Sequence, residues 1–203
     1  PAASPAKWHL AHTSWFFETF VLRDHVAGYR PFDERWAVLF NSYYQAEGAI
    51  HRRDLRGMLT RPALSEVLSY REHVDAAISD AMPILLERCP ELLELGLNHE
   101  QQHQELLLTD IKHLFFQNPL GPAIWPCAPF GKVRHYGSEI AWHVGRSGPV
   151  NIGATNDVFA FDCEQPVHRH YLSSHALADR PITNAEWCSF IADEGYATTS
   201  LWL

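Results

Sequence analysis

The side chains with the plainest capacity for chemistry in this 203-residue chain are its thirteen histidines. Neutral imidazole is the commonest metal-ligating side chain, so spacing has to separate ligands from solvated histidines. The sharpest spacing is Asn98-His99-Glu100-Gln101-Gln102-His103-Gln104-Glu105. On a helix, positions i and i+4 share one face a turn apart, so His99 and His103 can present two imidazoles to one ion. His99 to His103 also matches the HExxH pattern of zinc proteases, whose glutamate is the general base. Three fixed letters in five positions arise readily by chance, so that match is weak. The bland alternative is two histidines on a solvated or internally satisfied helix face. A second group, Trp8-His9-Leu10-Ala11-His12-Thr13, sets His12 among apolar neighbours. A histidine there is more often a satisfied core residue than a ligand. In helical bundles, however, metal sites are assembled from facing helices. One histidine on the first helix and a His-x₃-His pair on the last would supply three ligands, leaving positions open for substrate or O₂.

The elements that must position these residues can be read from apolar periodicity. Residues 5 to 117 carry a helical pattern. Ala6 to Leu22 is one stretch, with Trp8, Ala11, Trp15, Phe16 and Thr19 on a broad face. A polar loop over residues 23–35 follows, then a predicted helix from Glu34 to Tyr44 and a loop or short turns from His51 to Pro62. Ser65 opens a helix with Val67, Leu68, Tyr70, Val74, Ala77 and Ile78 on one stripe. The last helix is predicted from Leu92 to Phe116, with Leu93, Gly96, Leu97, Leu107, Leu108, Ile111 and Leu114 facing inward, and Asn118-Pro119 ends it. Four helices with a loop excursion predict an up-and-down bundle. After residue 120 the texture changes. Prolines at 119, 122, 126 and 129 read as a linker, and strand-like segments follow at Ala141–Val144, Val158–Phe161 and His168–Leu172. Thr183 and Glu186 have capping-box spacing and should open a short helix through Phe190. This second region is too short to bury its aromatics alone. Both ends read as cut, the chain stopping in apolar Ser200-Leu-Trp202-Leu, so part of a second domain is expected to be missing.

The net charge of −8, from 16 Lys+Arg against 24 Asp+Glu, argues against nucleic acid or an anionic membrane as partner. No apolar run of membrane-spanning length and no signal peptide is visible, which predicts a cytoplasmic protein. Cys89, Cys127, Cys163 and Cys188 are widely spaced with no CxxC pair, against a disulfide framework or a structural zinc site. Nothing in the sequence specifies an oligomeric state.

Three segments together resemble the ergothioneine-biosynthesis sulfoxide synthases: Trp8-His-Leu-Ala-His12-Thr-Ser-Trp-Phe-Phe-Glu18, Asn41-Ser-Tyr-Tyr44, and His99-Glu-Gln-Gln-His-Gln-Glu-Leu-Leu-Leu-Thr-Asp110. Those are iron enzymes with an N-terminal DinB-like four-helix bundle and a C-terminal domain similar to formylglycine-generating enzymes. Phe161-Asp-Cys-Glu164-Gln-Pro166-Val-His168, Pro181-Ile-Thr183-Asn184-Ala-Glu186, Asp193-Glu-Gly195-Tyr196 and Leu201-Trp202 resemble the opening of that second domain. Asp-Cys163-Glu stands where the family more usually has asparagine.

The resemblance implies a mainly α protein. Residues 1–120 would be the DinB-like metal-binding bundle, 121–150 a proline-rich linker, and 151–203 the N-terminal part of a strand-rich α+β domain. It makes His12, His99 and His103 the ligands of Fe(II), with His9 outside the site. Arg53 and Arg56 would grip the carboxylates of the thiol substrate, for which an arginine fork is chemically suited. The bland reading of Arg52, Arg53, Arg56 and Arg61 is a solvated basic loop. Gln102 would touch the methylated histidine, and Tyr43 and Tyr44 would line the same pocket; without the resemblance, these tyrosines read as packing. The implied reaction joins cysteine or γ-glutamylcysteine to the imidazole of hercynine with O₂. The family's catalytic tyrosine and betaine contacts lie beyond residue 203, so no catalytic side chain is identified within the chain. Three alternatives stay open: a DinB-like zinc-dependent thiol transferase or hydrolase, a non-catalytic metal-binding fragment, and the related synthase that makes 5-sulfenylated histidine.

Overall fold

The computed structural model describes residues 3–126, 139–155 and 157–202. Cys127, Pro129, the centre of the expected linker and Leu203 lie outside the described residues. The chain is mainly helical and divides into two compact units, Pro1–Ala128 and Pro129–Leu203.

The first unit is built round its first helix. α1 (Ala6–Phe16) continues through a π turn (Phe17–Leu22) into α2 (Arg23–His25). Trp8, His9, Ala11, His12, Thr13, Ser14, Trp15 and Phe16 are all buried, as expected of a helix enclosed by neighbours on most sides. It packs on α4 (Leu64–Arg88) and α5 (Pro90–Gln117), which are separated by Cys89 alone. Pro90 occupies the first turn of α5, where its missing N–H costs nothing. The core joins Trp8, Trp15, Val21, Leu22, Phe40, Val67, Tyr70, Val74 and Leu85. Glu18 fastens the loop after α2 to this core. Its buried carboxylate accepts from Tyr29 Oη (2.8 Å), the Phe32 N–H (2.9 Å) and Tyr70 Oη (2.6 Å).

Three expectations are corrected here. The predicted Glu34–Tyr44 helix is a single turn, α3 (Trp36–Leu39), so three long helical runs replace four. The Asn41 side chain bonds the Tyr44 backbone in both directions, at 3.0 and 3.1 Å, giving the chain a local alternative to helix. Beyond it, Gln45–Glu47 and Arg53–Met58 are 3₁₀ turns. On α5 the buried line is Leu93, Gly96, His99 and His103, whereas Leu97 is 61% exposed and Leu108 and Leu114 also face out. Leucines surround α5 on all sides, so apolar periodicity could not select its inward face. On α4, Val67, Tyr70 and Val74 are buried as expected, but Leu68 is exposed.

The second unit holds two antiparallel pairs: β1 (Trp142–Val144) with β4 (Ala176–Ala178), and β2 (Gly148–Ile152) with β3 (His168–Leu172). Gly148 pairs with Leu172 and Ile152 with His168. β1 and the start of β2 fall in the stretch expected to be linker. Val158–Phe161 is not a strand; it leads into a 3₁₀ turn at Asp162–Glu164. β1 falls on the expected strand-like segment Ala141–Val144 and β3 on His168–Leu172, whereas three-residue β4 is too short to show alternation. α6 (Asn184–Ala192) opens with the predicted capping box, Thr183 Oγ1 accepting from the Glu186 N–H and the Glu186 carboxylate from the Thr183 N–H. No helix among the described residues is long and apolar enough to cross a membrane.

Candidate metal centre

α1 and α5 bring four histidines together. His12 comes from α1, and His99 and His103 from successive turns of α5. One nitrogen from each of these three lies within 4.8 Å of the others, and all three residues are buried. Ions held about 2.1 Å from each nitrogen need ligand atoms about 3 to 4 Å apart, a spacing that small ring rotations reach from here.

Each ring is held differently. His12 lies between two indoles, stacked with Trp8 at 4.6 Å and with Trp15 at 5.5 Å between centroids. Its Nδ1–H donates to the Phe40 carbonyl at 2.6 Å. A carbonyl only accepts, so the neutral ring keeps the lone pair on Nε2. The early end of α3 leaves that carbonyl free for His12. His99 packs beside Phe16 at 4.8 Å, yet both of its nitrogens are buried without a partner among the described residues. Buried polar atoms are nearly always satisfied, so an imidazole with a free lone pair, unpartnered and beside two other imidazoles, is what a cation site presents. Gly96, one turn before His99, makes room for the aromatic wall: a Cβ there would meet Phe17 Cε1 at 2.4 Å and Phe16 Cε1 at 3.2 Å.

Burial makes these rings neutral at ordinary pH. It pushes His99 down to about 4 and His103 down to about 3, the latter helped by the charges of His99, His9 and Arg56. His12 is held well below its usual value, again mainly by burial. Neutral imidazoles are the ligating form, so the donor set fits a borderline divalent ion such as iron or zinc.

His9, expected to stand outside the site, is joined to it. Its Nδ1 is 3.0 Å from His103 Nδ1, and its Nε2 is 3.1 Å from Asp110 Oδ2. Burial lowers His9 against the opposing pull of Asp110. The same Asp110 oxygen accepts the Ser4 N–H at 2.8 Å. The sequence held a signal for this pair. His9 lies one turn from His12, and Asp110 lies two turns from His103 on the same face of α5.

The other residues singled out from the sequence fall at several depths. Arg56 is 4% exposed, with its guanidinium 3.5 Å over the Trp8 ring. Among the described residues it donates only to hydroxyls, Ser4 Oγ and Ser42 Oγ, each at 3.2 Å, and its Nε has no partner. Burial, with Arg53 nearby, brings it down to about 10. Arg53 lies on the surface three residues earlier on the same 3₁₀ turn. Tyr43 is 66% exposed and stacks on half-buried Tyr44 at 4.7 Å. Tyr44 in turn meets Trp15 and Phe20, the wall that also holds His12. Gln102 is exposed, about 100° round α5 from His103. Glu100, the base of the HExxH reading, pairs instead with Arg71 at 3.2 Å. Arg71 also donates to the Leu10 carbonyl and to Thr13 Oγ1, so Glu100 braces the helices, and its one effect on the cluster is a charge that favours protonated His99 against burial.

No family model matches the chain. Three curated relatives named hercynine oxygenase match all of it. The protein from Mycolicibacterium smegmatis is 30% identical over 205 aligned positions, that from Mycolicibacterium thermoresistibile 28% over 210, and that from Mycobacterium tuberculosis 29% over 205. The alignments cover 46%, 44% and 46% of those proteins. The chain is thus similar along its whole length to hercynine oxygenases, and spans less than half the length of the relatives it matches.

Proposed function

We propose that His12, His99 and His103 hold Fe(II), and that the chain belongs to an O₂-dependent hercynine sulfoxide synthase. The observation that carries this is His99, whose two buried nitrogens have no partner and which faces two other neutral imidazoles. The names of the relatives support the choice of hercynine as substrate. Bound there, iron would supply the redox coupling between O₂ and sulfur. Overall, a thiol S–H and an imidazole C–H break, C–S and S–O bonds form, and O₂ gives one oxygen to the sulfoxide and the other to water.

The chain's own residues would bind and orient the reactants. Arg56 is a buried fork with no carboxylate hydrogen-bonded to it among the described residues, stacked on the same Trp8 that stacks on His12. Positions i and i+3 eclipse on a 3₁₀ turn, which puts Arg53 on the same side. The pair suits the carboxylates of cysteine or γ-glutamylcysteine. Tyr43, Tyr44 and Gln102 would line the hercynine side, and the aromatic wall of Trp8, Trp15 and Phe16 would exclude water. In this reading residues 1–120 form a DinB-like bundle and 151–203 the opening of a formylglycine-generating-enzyme-like domain, joined by 121–150. A cytoplasmic setting is proposed with it, in keeping with free thiols at Cys89, Cys163 and Cys188.

The test is metal analysis of anaerobically purified protein, wild type beside His99→Ala, followed by O₂ uptake with Fe(II), hercynine and cysteine. One iron per wild-type chain, lost in the variant, together with substrate-dependent uptake, is the expected result. Bound iron without uptake points to a metal-binding fragment. Zinc in preference to iron moves the assignment to a thiol transferase on the same three histidines.

A further inference from the structure

We infer that His9 and Asp110 are positioning residues, a hydrogen-bonded relay that fixes which nitrogen of His103 faces the ion. The inference rests on the metal-centre reading and concerns side chains outside the ligand set.

The hydrogen bonds leave little freedom. Asp110 Oδ2 accepts from the Ser4 N–H, and as a carboxylate oxygen it also accepts from His9 Nε2, 3.1 Å away. The proton of a neutral His9 is therefore on Nε2, and its Nδ1 carries a lone pair. That lone pair faces His103 Nδ1 at 3.0 Å. Two bare nitrogens would repel at this distance, and two N–H groups would clash. A single proton between them belongs to His103, which leaves His103 Nε2 as its ligating nitrogen. The opposite placement, with both His9 nitrogens protonated, puts the proton of His103 on Nε2 and removes it from the ligand set. The carboxylate thus selects the tautomer of a ring it does not touch.

Metal-bound histidines ordinarily hand their second N–H to a carboxylate, carbonyl or water, and these outer partners fix ring orientation and basicity. His12 follows that rule through the Phe40 carbonyl. His103 follows it at one remove, through an imidazole. His9 is 4% exposed and the Asp110 side chain 14% exposed, so water does not readily replace either partner. Ser4 extends the relay: its N–H goes to Asp110 while its Oγ accepts from Arg56. One carboxylate therefore indexes both a ligand and the buried guanidinium beside it.

The test uses the 203-residue chain, ¹⁵N-labelled at histidine, and long-range ¹H–¹⁵N correlation spectra that distinguish the two tautomers without metal or turnover. The wild type should show His103 protonated on Nδ1 and His9 on Nε2. Co(II) titration against a competing chelator gives the second readout. His9→Phe, which keeps a ring and removes the relay, should shift His103 toward the Nε2–H form and weaken Co(II) binding about 10- to 100-fold, the usual cost of an outer partner. His9→Gln offers an amide oxygen to His103 Nδ1–H and should recover most of the affinity. Val74→Ala, a core truncation outside the relay, controls for lost stability and should leave affinity unchanged. An Nε2–H His103 in a wild type that binds Co(II) overturns the relay alone. So does His9→Phe with unchanged tautomer, whatever its affinity, because His9 would then act through packing. A wild type that shows the expected tautomers and binds no Co(II) overturns the metal-centre reading, and the relay's role with it.

Discussion

The two units treat polar side chains in opposite ways. The helical unit buries Glu18, Arg56 and four histidines, and nearly every one is held by a named partner. In the strand-rich unit most such groups lie at the surface, Arg180, its side chain 8% exposed and paired with Glu186, being an exception. Val144 is 88% exposed on β1, and Trp187, Tyr196 and Trp202, which cluster round Phe190, are each about half exposed. A buried polar group needs a core that excludes water and a partner that replaces it. The helical unit provides both for Glu18, His9, His12 and His103, and against that background His99, with neither ring nitrogen partnered among the described residues, stands out.

The largest effect that would sharpen this contrast is on metal-linked stability. An ion bound to the native state alone stabilises by about 4 kcal/mol when present at a thousand times its dissociation constant. His99→Ala should abolish that gain in thermal unfolding with added Fe(II) or Co(II). Without metal it should cost little, because it also removes two buried nitrogens that nothing satisfies. If the variant keeps the metal-dependent shift, His99 is an ordinary core residue and the contrast loses its chemical meaning.

Next in size is Glu18. Its carboxylate takes three hydrogen bonds, two of them from tyrosines whose hydroxyls burial and the Glu18 charge hold above their ordinary range. Glu18→Ala leaves Tyr70 Oη buried without an acceptor and should destabilise the helical unit by about 3 kcal/mol. Urea unfolding, with amide exchange over residues 26–35, measures it. A change within error would mean that the loop is not anchored there.

Acid should act on the same unit with a defined sign. The folded values of about 4 for His99 and about 3 for His103 lie below the ordinary 6.5 that the unfolded chain regains. Between those limits the unfolded chain binds protons that the folded chain refuses. The histidine contribution is therefore complete above pH 6.5 and is lost as pH falls toward 4, by up to about 1.4 kcal/mol per pH unit for each ring. Urea midpoints of the metal-free chain across this window should fall with pH, and His99→Ala should flatten the slope by the share of one ring. A midpoint that rises on acidification would reverse the assignment of neutral rings.

How much of this was legible in advance follows the same division. His12, His99 and His103 were recoverable because i, i+4 spacing on a helix is a geometric statement, and the bundle supplied the facing helix. The burial of α1 and of Val67, Tyr70 and Val74 followed from periodicity. Three features escaped it. α3 is one turn long because Asn41 and the His12–Phe40 bond compete with helix, and such side-chain competition has no period. The inward line of α5 passes through Gly96 and two histidines, which a hydrophobicity count scores as polar. His9 looked peripheral because its partner, Asp110, is 101 residues away in sequence. In the strand-rich unit β1 and β3 were read from strand-like segments and β4 was too short to register, whereas the α6 cap was readable because Thr183 and Glu186 satisfy each other locally.

That cap supplies the smallest and cleanest comparison. Thr183 Oγ1 accepts the Glu186 N–H at 3.3 Å, and Glu186, also held by Arg180, returns a bond to the Thr183 N–H at 2.8 Å. Removing an N-cap hydroxyl ordinarily costs about 1 kcal/mol, because one first-turn N–H then turns to water. Thr183→Ala should therefore raise amide exchange in the first turn of α6 by a modest factor, and Thr183→Ser should restore it. The expected loss is well below that of Glu18→Ala, since water reaches the freed group here and cannot reach Tyr70 Oη. If Thr183→Ala cost as much as Glu18→Ala, α6 would have to cap a packed core, and the division between a unit that buries its polar groups and one that solvates them would fail.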